Sequence, residues 1–182
     1  SVCQVDYTNL TQGEPRLVIP FFDEDNRLIG AQGRALRESK VRYVTVKVHE
    51  NSRKVFGLER WTNKEPTYLV EGPIDSLFLP NSLAMAGADM SDLSFLNKIN
   101  TTLIFDNEPR NDHISKRMVD ALEKGWRIVV WQDQGNKWDS RAPKDINDMV
   151  ISGKTTDEIL KIINKNTYSG QRGKWEVTYW KV

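Results

Sequence analysis

The stretch TYLVEGPIDSLFL (67–79) decides the fold. Four mostly apolar residues end on an acid, Glu71, and a Gly-Pro pair follows at once. Proline suits the first turn of a helix, where its missing N–H would have no partner anyway. The spacing therefore predicts a strand over 67–70 that hands over directly to a short helix over 73–79. Three more apolar runs follow: LAMA (83–86), TTLIF (101–105) and RIVVW (127–131). They are apolar almost throughout rather than alternating, as expected of strands buried on both faces of a parallel sheet. Helices are predicted between them. SDLSFLNKI (91–99) would be capped by Ser91, and NDHISKRMVDALEKG (111–125) sets Ile114, Met118, Ala121 and Leu122 on one face and ends on Gly125. Alternation of strand and helix predicts an α/β domain with a doubly wound, mainly parallel sheet.

Outward from this core the rhythm changes. LVIPFF (17–22) and RLIGAQGRAL (27–36) flank the acidic turn DEDN, and VRYVTVKVH (41–49) alternates valines and Tyr43 with polar residues. These read as strands of a small β-rich α+β subdomain, with VFGL (55–58) as a further short strand. Past the core, TTDEILKIINK (155–165) opens with a capping box, Thr155 with Glu158, and is predicted helical. KWEVTYW (174–180) is read as a closing strand or packed tail. The expected organisation is a basic N-terminal subdomain over 1–65, an α/β domain over 66–152, and a helix with a strand or tail over 153–182.

At 182 residues, 38% hydrophobic and 28% charged, the composition is that of an ordinary globular chain. No apolar run approaches the roughly 18 residues that cross a bilayer, and the first residues lack a signal-peptide pattern, so a cytoplasmic protein is expected. The single cysteine, Cys3, excludes an internal disulfide framework and a Cys-rich zinc site. The chain starts without methionine and in mid-flow, as a piece of a longer protein would. A net charge of +1 hides an uneven distribution. Residues 34–60 carry Arg34, Arg37, Lys40, Arg42, Lys47, Arg53, Lys54 and Arg60 against three acids, whereas carboxylates gather between 71 and 148.

Sites in open α/β sheets form beyond the carboxyl ends of the strands, at the point where strand order reverses. Glu71 follows TYLV, Asp106 follows TTLIF with Glu108 two residues later, and KDINDM (144–149) follows RIVVW after a loop. Asp145 and Asp148 are three apart and would share a helical face. Several carboxylates at one sheet edge repel unless a cation neutralises them. Oxygen-only donors suit Mg²⁺ or Mn²⁺ rather than zinc, and such ions work on phosphates. His49 and His113 lie away from this set. Asp75, Asp92 and Asp112 read as helix caps, and Trp61, Trp131 and Trp138 as packing residues.

Three segments together resemble a known pattern. VEGPIDSL is similar to the glutamate motif of the Toprim domain, LIFDNEPRN to its Asp-x-Asp motif with Glu108 in the second place, and PKDINDMV to the third acidic stretch of DnaG-type primases. RLVIPFFDEDNRLIGAQGRAL, followed by VFGLERW, resembles the N-terminal lobe of the same primases, and FDNEPRN…KDINDM resembles those of tailed phages. The resemblance implies a metal-dependent nucleotidyltransferase that makes short RNA primers on single-stranded DNA from ribonucleoside triphosphates. It implies Glu71 as the catalytic carboxylate, Asp106 and Glu108 as catalytic metal ligands, and Asp145 as a third ligand. Asn147 stands where these primases commonly have an aspartate, and Asp148 is the substitute. Arg34, with Arg53 and Lys54 as looser matches, would contact nucleic acid or nucleotide. A replicative helicase and a zinc-binding template-recognition module, on the same protein or another, are the implied partners. A Toprim nuclease, or a noncatalytic Toprim module that binds nucleic acid or helicase, are the alternatives.

Overall fold

The computed structural model describes residues 14–87, 93–132 and 143–181, and two sheets organise them. The first is antiparallel, with β1 (Arg16–Phe22), β2 (Leu28–Ala35) and β3 (Tyr43–Lys47) in that spatial order. Its first turn is set by Asp23, whose carboxylate accepts the N–H groups of Asp25 and Arg27 at 3.0 and 2.8 Å. Asn26 takes the left-handed conformation there (φ 62°), which a short polar side chain tolerates. At Gly30 a Cβ would stand 2.6 Å from the Val46 carbonyl oxygen, so β2 and β3 close up only over a glycine.

The second sheet carries the site. Its strands are β4 (Thr67–Val70), β5 (Ser82–Ala84), β6 (Thr101–Ile104), β7 (Arg127–Val129) and β8 (Thr167–Tyr168). They lie in the order β5-β4-β6-β7-β8, parallel except for β8 against β7. Leu69, Leu83, Leu103 and Ile128 are completely buried, as strands covered on both faces require. The helices are α1 (Pro73–Ser76), α2 (Asp112–Glu123), α3 (Ile146–Ile151), α4 (Thr156–Lys165) and α5 (Gly170–Trp180). From β4 the chain passes through α1 to β5 on one side, then returns to β6 on the other side of β4. Strand order thus reverses between β4 and β6. Since crossovers between parallel strands are right-handed as a rule, ones running to opposite sides of that point place α1 and α2 on opposite faces of the sheet.

The two sheets share one core. Phe21 of β1 is buried and meets Phe56 edge-on at 5.8 Å, and Phe56 forms a β-bridge to Ala84 of β5. The Thr45 hydroxyl of β3 also donates to the carbonyl of Ala86, at 3.4 Å.

The predicted strands over 17–22, 27–36, 41–49, 67–70, 83–86, 101–105 and 127–131 are all present, most of them trimmed at their ends, and α4 carries the expected Thr155–Glu158 capping box. Four local readings change. KWEVTYW is part of helix α5, not a strand: Gly173, Val177 and Trp180 fall on one buried helical face, and β8 takes the sheet edge instead. A Cβ at Gly173 would come 2.5 Å from the Leu122 side chain, so glycine allows α5 to lie close on α2. Over 93–100 the chain makes turns that bury Leu93 and Leu96 rather than a regular helix; Ser91 and Asp92 lie outside the described residues. VFGL supplies only the Phe56 bridge before a 3-10 turn, Leu58–Arg60. Asn111, not Asp112, caps α2 by accepting the His113 N–H, and Asp112 pairs with Lys181 at 2.7 Å.

Candidate active site

The register of β4 against β6, with Val70 opposite Ile104, ends both strands flush at the switch point. Glu71 and Asp106 emerge there side by side. The Asp106 backbone N–H donates to Glu71 Oε2 at 3.1 Å. The other oxygen, Oε1, accepts from the Arg117 guanidinium of α2. That guanidinium also lies over the Phe105 ring, 5.2 Å from its centroid, with Nη2 3.7 Å from the Met85 sulfur. One charge-assisted bond and one backbone bond therefore fix the orientation of Glu71.

Asp75 comes one helical turn after Glu71. The sequence marked it as a cap for α1; instead its Oδ1 accepts the Asn147 N–H at 2.8 Å, at the start of α3. Gly72 explains how it gets there. Its backbone is ordinary extended chain (φ −102°), but a Cβ would stand 2.6 Å from Asp75 Oδ2. The glycine of the Glu-Gly-Pro turn makes room for a carboxylate. Asp145 caps α3, accepting the Asp148 N–H at 2.7 Å. Glu71, Asp75, Asp106 and Asp145 line a single cleft with Val70, Ile104, Phe105, Trp131 and Ile146. Trp131 is a wall residue, buried, with its indole N–H on the Phe105 carbonyl at 2.8 Å.

Crowding and burial show in the acidities. Asp106 is pushed up to about 8, first by burial and then by Glu71, Asp75, Asp145 and Glu108. Asp75 is pushed up to about 6, again mainly by burial, with Asp145 adding to the effect; the Asn147 N–H and the positive charge of Arg34 act against it. The donor chemistry, all carboxylate and mutually repelling, fits a hard divalent cation. The spacing is that of an open arrangement: among the described residues no three carboxylate, imidazole or thiol side chains are gathered closely enough to share one ion.

Of the residues expected from sequence, Glu71, Asp106 and Asp145 meet in the cleft. Glu108 accepts from the Asn111 side chain at 2.8 Å and acts on Asp106 by charge, without lining the cleft. Asp148 is turned back on its own helix start, accepting the Lys144 N–H at 3.3 Å, and is not part of the lining. Asn147 contributes its backbone N–H to Asp75. Arg34, half-buried near the end of β2, is the one of the expected basic residues whose charge acts on Asp75, and its guanidinium lies 5.9 Å from the Tyr43 ring centroid. Arg53 is occupied by Glu24 at 2.7 Å and stacks on Phe95 at 4.4 Å, and neither it nor half-buried Lys54 lines the cleft. Trp138 lies outside the described residues. Two functional residues were not foreseen, Asp75 and Arg117. Asp75 carried a signal, its four-residue spacing from Glu71 across a proline-started helix; Arg117 carried none, since nothing local distinguishes it from other basic residues on the helix.

No protein-family model matches the chain. A DNA primase of enterobacteria phage T4 is 34% identical over 168 residues, 91% of this chain and 47% of that protein. The primase of Aquifex aeolicus, solved with its zinc-binding and RNA polymerase domains, superposes with a TM-score of 0.62 at 26% identity, over 87% of this chain and 44% of that one. This chain is related to the DnaG-type primases. Its fold is also that of a DnaG catalytic domain solved bound to single-stranded DNA, with a TM-score of 0.54 over 82% of this chain and 51% of that one; at 17% identity this likeness shows the fold alone. The chain spans about half the length of the T4 relative, with 47% covered. Its mainly parallel five-stranded sheet, with the small antiparallel sheet beside it, is the fold that the resemblance to DnaG-type primases implied. Among the described residues, no helix is long and apolar enough to cross a membrane.

Proposed function

We propose that the chain is the RNA-synthesising core of a DNA primase, joining ribonucleotides on a single-stranded DNA template. The carrying observation is the convergence of Glu71, Asp75, Asp106 and Asp145 at the β4–β6 switch point, with Arg34 of the basic sheet near enough to act on Asp75. The relationship to primases supports the same reading. Asp106 and Asp145, with Asp75 beside them, would hold Mg²⁺ or Mn²⁺, which when bound would neutralise the clustered charge and stabilise charge on the triphosphate oxygens. Glu71, held by Arg117 and the Asp106 N–H, keeps a fixed carboxylate next to the reacting phosphate. In the reaction the primer 3′-hydroxyl oxygen forms a new bond to the α-phosphorus of a ribonucleoside triphosphate. Its proton passes to a carboxylate or water, and pyrophosphate leaves.

Arg34 and the neighbouring Arg42 and Tyr43 face would hold the template backbone, a contact that weakens with salt. The Aquifex relative carries a zinc-binding domain beside its polymerase domain, which supports a template-recognition module outside this chain. A replicative helicase is the further partner proposed, and the host cytoplasm the compartment. The reading is tested by incubating the protein with single-stranded template, ribonucleoside triphosphates and Mg²⁺ or Mn²⁺. Short RNA products that disappear in Glu71→Gln are expected. Template cleavage without synthesis, or DNA binding with neither activity and no response to metal, would overturn it.

A further inference from the structure

Two loops carry the cleft carboxylates that lie outside the β4–α1 turn: Asp106 follows β6 and Asp145 precedes α3. They are 39 positions apart in the chain, and among the described residues no strand pairing joins them. One residue spans them. Asn107, next to Asp106, donates its backbone N–H to the Lys144 carbonyl at 2.6 Å and its side-chain amide to the Pro143 carbonyl at 3.3 Å. The other side-chain polar atom, Oδ1, accepts the indole N–H of Trp180 at 3.0 Å. Trp180 is the last residue of α5 and is only 2% exposed. Lys181 adds a 2.7 Å pair to Asp112 at the start of α2. The end of α5 thus lies against both the loop that carries Asp106 and the helix that follows it.

We propose that Asn107 and Trp180 are positioning residues that set the separation of Asp106 and Asp145, and so the affinity of the cleft for its divalent cation. The inference rests on the metal-dependent primase reading and adds to it. Asn107 falls in the middle of the Asp-x-Glu sequence, where a side chain that touches neither substrate nor ion would ordinarily point to solvent. Here its side-chain amide is directed to the partner loop and to α5. The backbone bond to Lys144 joins the loops next to both acids and survives substitution, whereas the side-chain amide adds the ties to Pro143 and Trp180, so removing the amide loosens Asp106 from Asp145 without removing a carboxylate. Bonds that orient ligating groups in this way typically affect metal affinity by roughly ten-fold or more. The arrangement also ties α5, far from the motifs in sequence, to the geometry of the site.

The test compares the intact protein with Asn107→Ala, Trp180→Phe and the double variant. Trp180→Phe keeps the buried ring and removes the indole N–H, so it guards against an effect of misfolding. Two readouts are needed: the Mn²⁺ concentration that half-saturates the rise in thermal midpoint, without substrate, and the Mn²⁺ concentration that half-saturates primer synthesis. Asn107→Ala should raise both by roughly ten-fold, with the rate at saturating metal within about three-fold of the parent. Trp180→Phe should move them in the same direction by less, and the double variant by less than the product of the single effects, because the two share one bond. A lower metal-free thermal midpoint with unchanged half-saturating Mn²⁺ would make the contacts merely structural and overturn the proposal. No stabilisation of the parent protein by Mn²⁺ would overturn the metal reading itself, and the positioning role with it.

Discussion

In the acidic cleft, charged side chains are held by the backbone: Glu71 by the Asp106 N–H, Asp75 by the Asn147 N–H, Asp145 by the Asp148 N–H. On the antiparallel sheet, the arginines at the far end of β2 and β3 lie over an aromatic face, with Arg34 and Arg42 at 5.9 and 5.6 Å from the Tyr43 centroid. The first arrangement fixes direction at the expense of repulsion and desolvation, as a site for one ion and one phosphate requires. The second leaves charge able to follow a flexible polyanion. The two regions meet through Arg34, whose charge acts on Asp75.

The sharpest way to break the acidic half is Asp106→Asn. It removes a proposed ligand while keeping the side-chain size, and primer synthesis should fall by about three orders of magnitude, read as product per unit time at saturating Mn²⁺. Next comes a pH effect that needs no mutation. Asp106 is raised to about 8 and Asp75 to about 6 in the folded protein, both above their ordinary value of 3.8. Their protonated forms are favoured by folding, so their contribution to stability is complete below about pH 4. It is lost as pH rises, through about 6 for Asp75 and about 8 for Asp106. Denaturant unfolding with chelator present should show the metal-free protein losing on the order of a few kcal/mol between pH 4 and 9. Asp106→Asn should flatten the upper part of that fall, and Mn²⁺ should offset it. Stability independent of pH across this range would mean the carboxylates are neither buried nor crowded in the way described.

How much of this was legible in the sequence differs between the two regions. The parallel strands were visible because burial on both faces leaves purely apolar runs, and their order put Glu71 and Asp106 at strand ends. The turn-rich segment over 93–100 and the helix over 170–180 were not, because short segments that bury alternate or every fourth residue read alike. Asp75 was misplaced for a related reason: an acid in a first turn normally serves that helix, and its real partner, Asn147, is 72 residues away. Arg117 and Asn107 depend on contacts across 46 and 73 positions, which no local pattern encodes.

Gly72→Ala is a milder test of the same cleft. The added Cβ would meet Asp75 Oδ2 at 2.6 Å, and the Asn147 N–H holds that carboxylate in place, so one of the two must yield. A stability loss of about 1 kcal/mol by denaturant titration and a roughly ten-fold loss of primer synthesis are expected. A variant as active as the parent would separate Asp75 from the chemistry.

The basic half is tested with two arginines, Arg34, which the sequence offered as the nucleic-acid contact, and Arg53, which it offered as a looser match. Arg34→Ala should weaken single-stranded DNA binding and reduce the slope of log affinity against log salt by about 0.7, the value of one phosphate contact on a single strand. Arg53→Ala should leave that slope unchanged, because Arg53 is already paired with Glu24 and stacked on Phe95. Its loss should instead appear as a stability change of roughly 1 kcal/mol or less, since an exposed pair and an exposed cation–π contact are each weak. If Arg53→Ala lowers the salt slope as much as Arg34→Ala does, the Glu24 pair opens in the complex and template contact extends past the sheet end to Phe95. If neither variant alters it, the basic sheet does not touch the nucleic acid, and the division of labour between the two regions fails at its smallest measurable term.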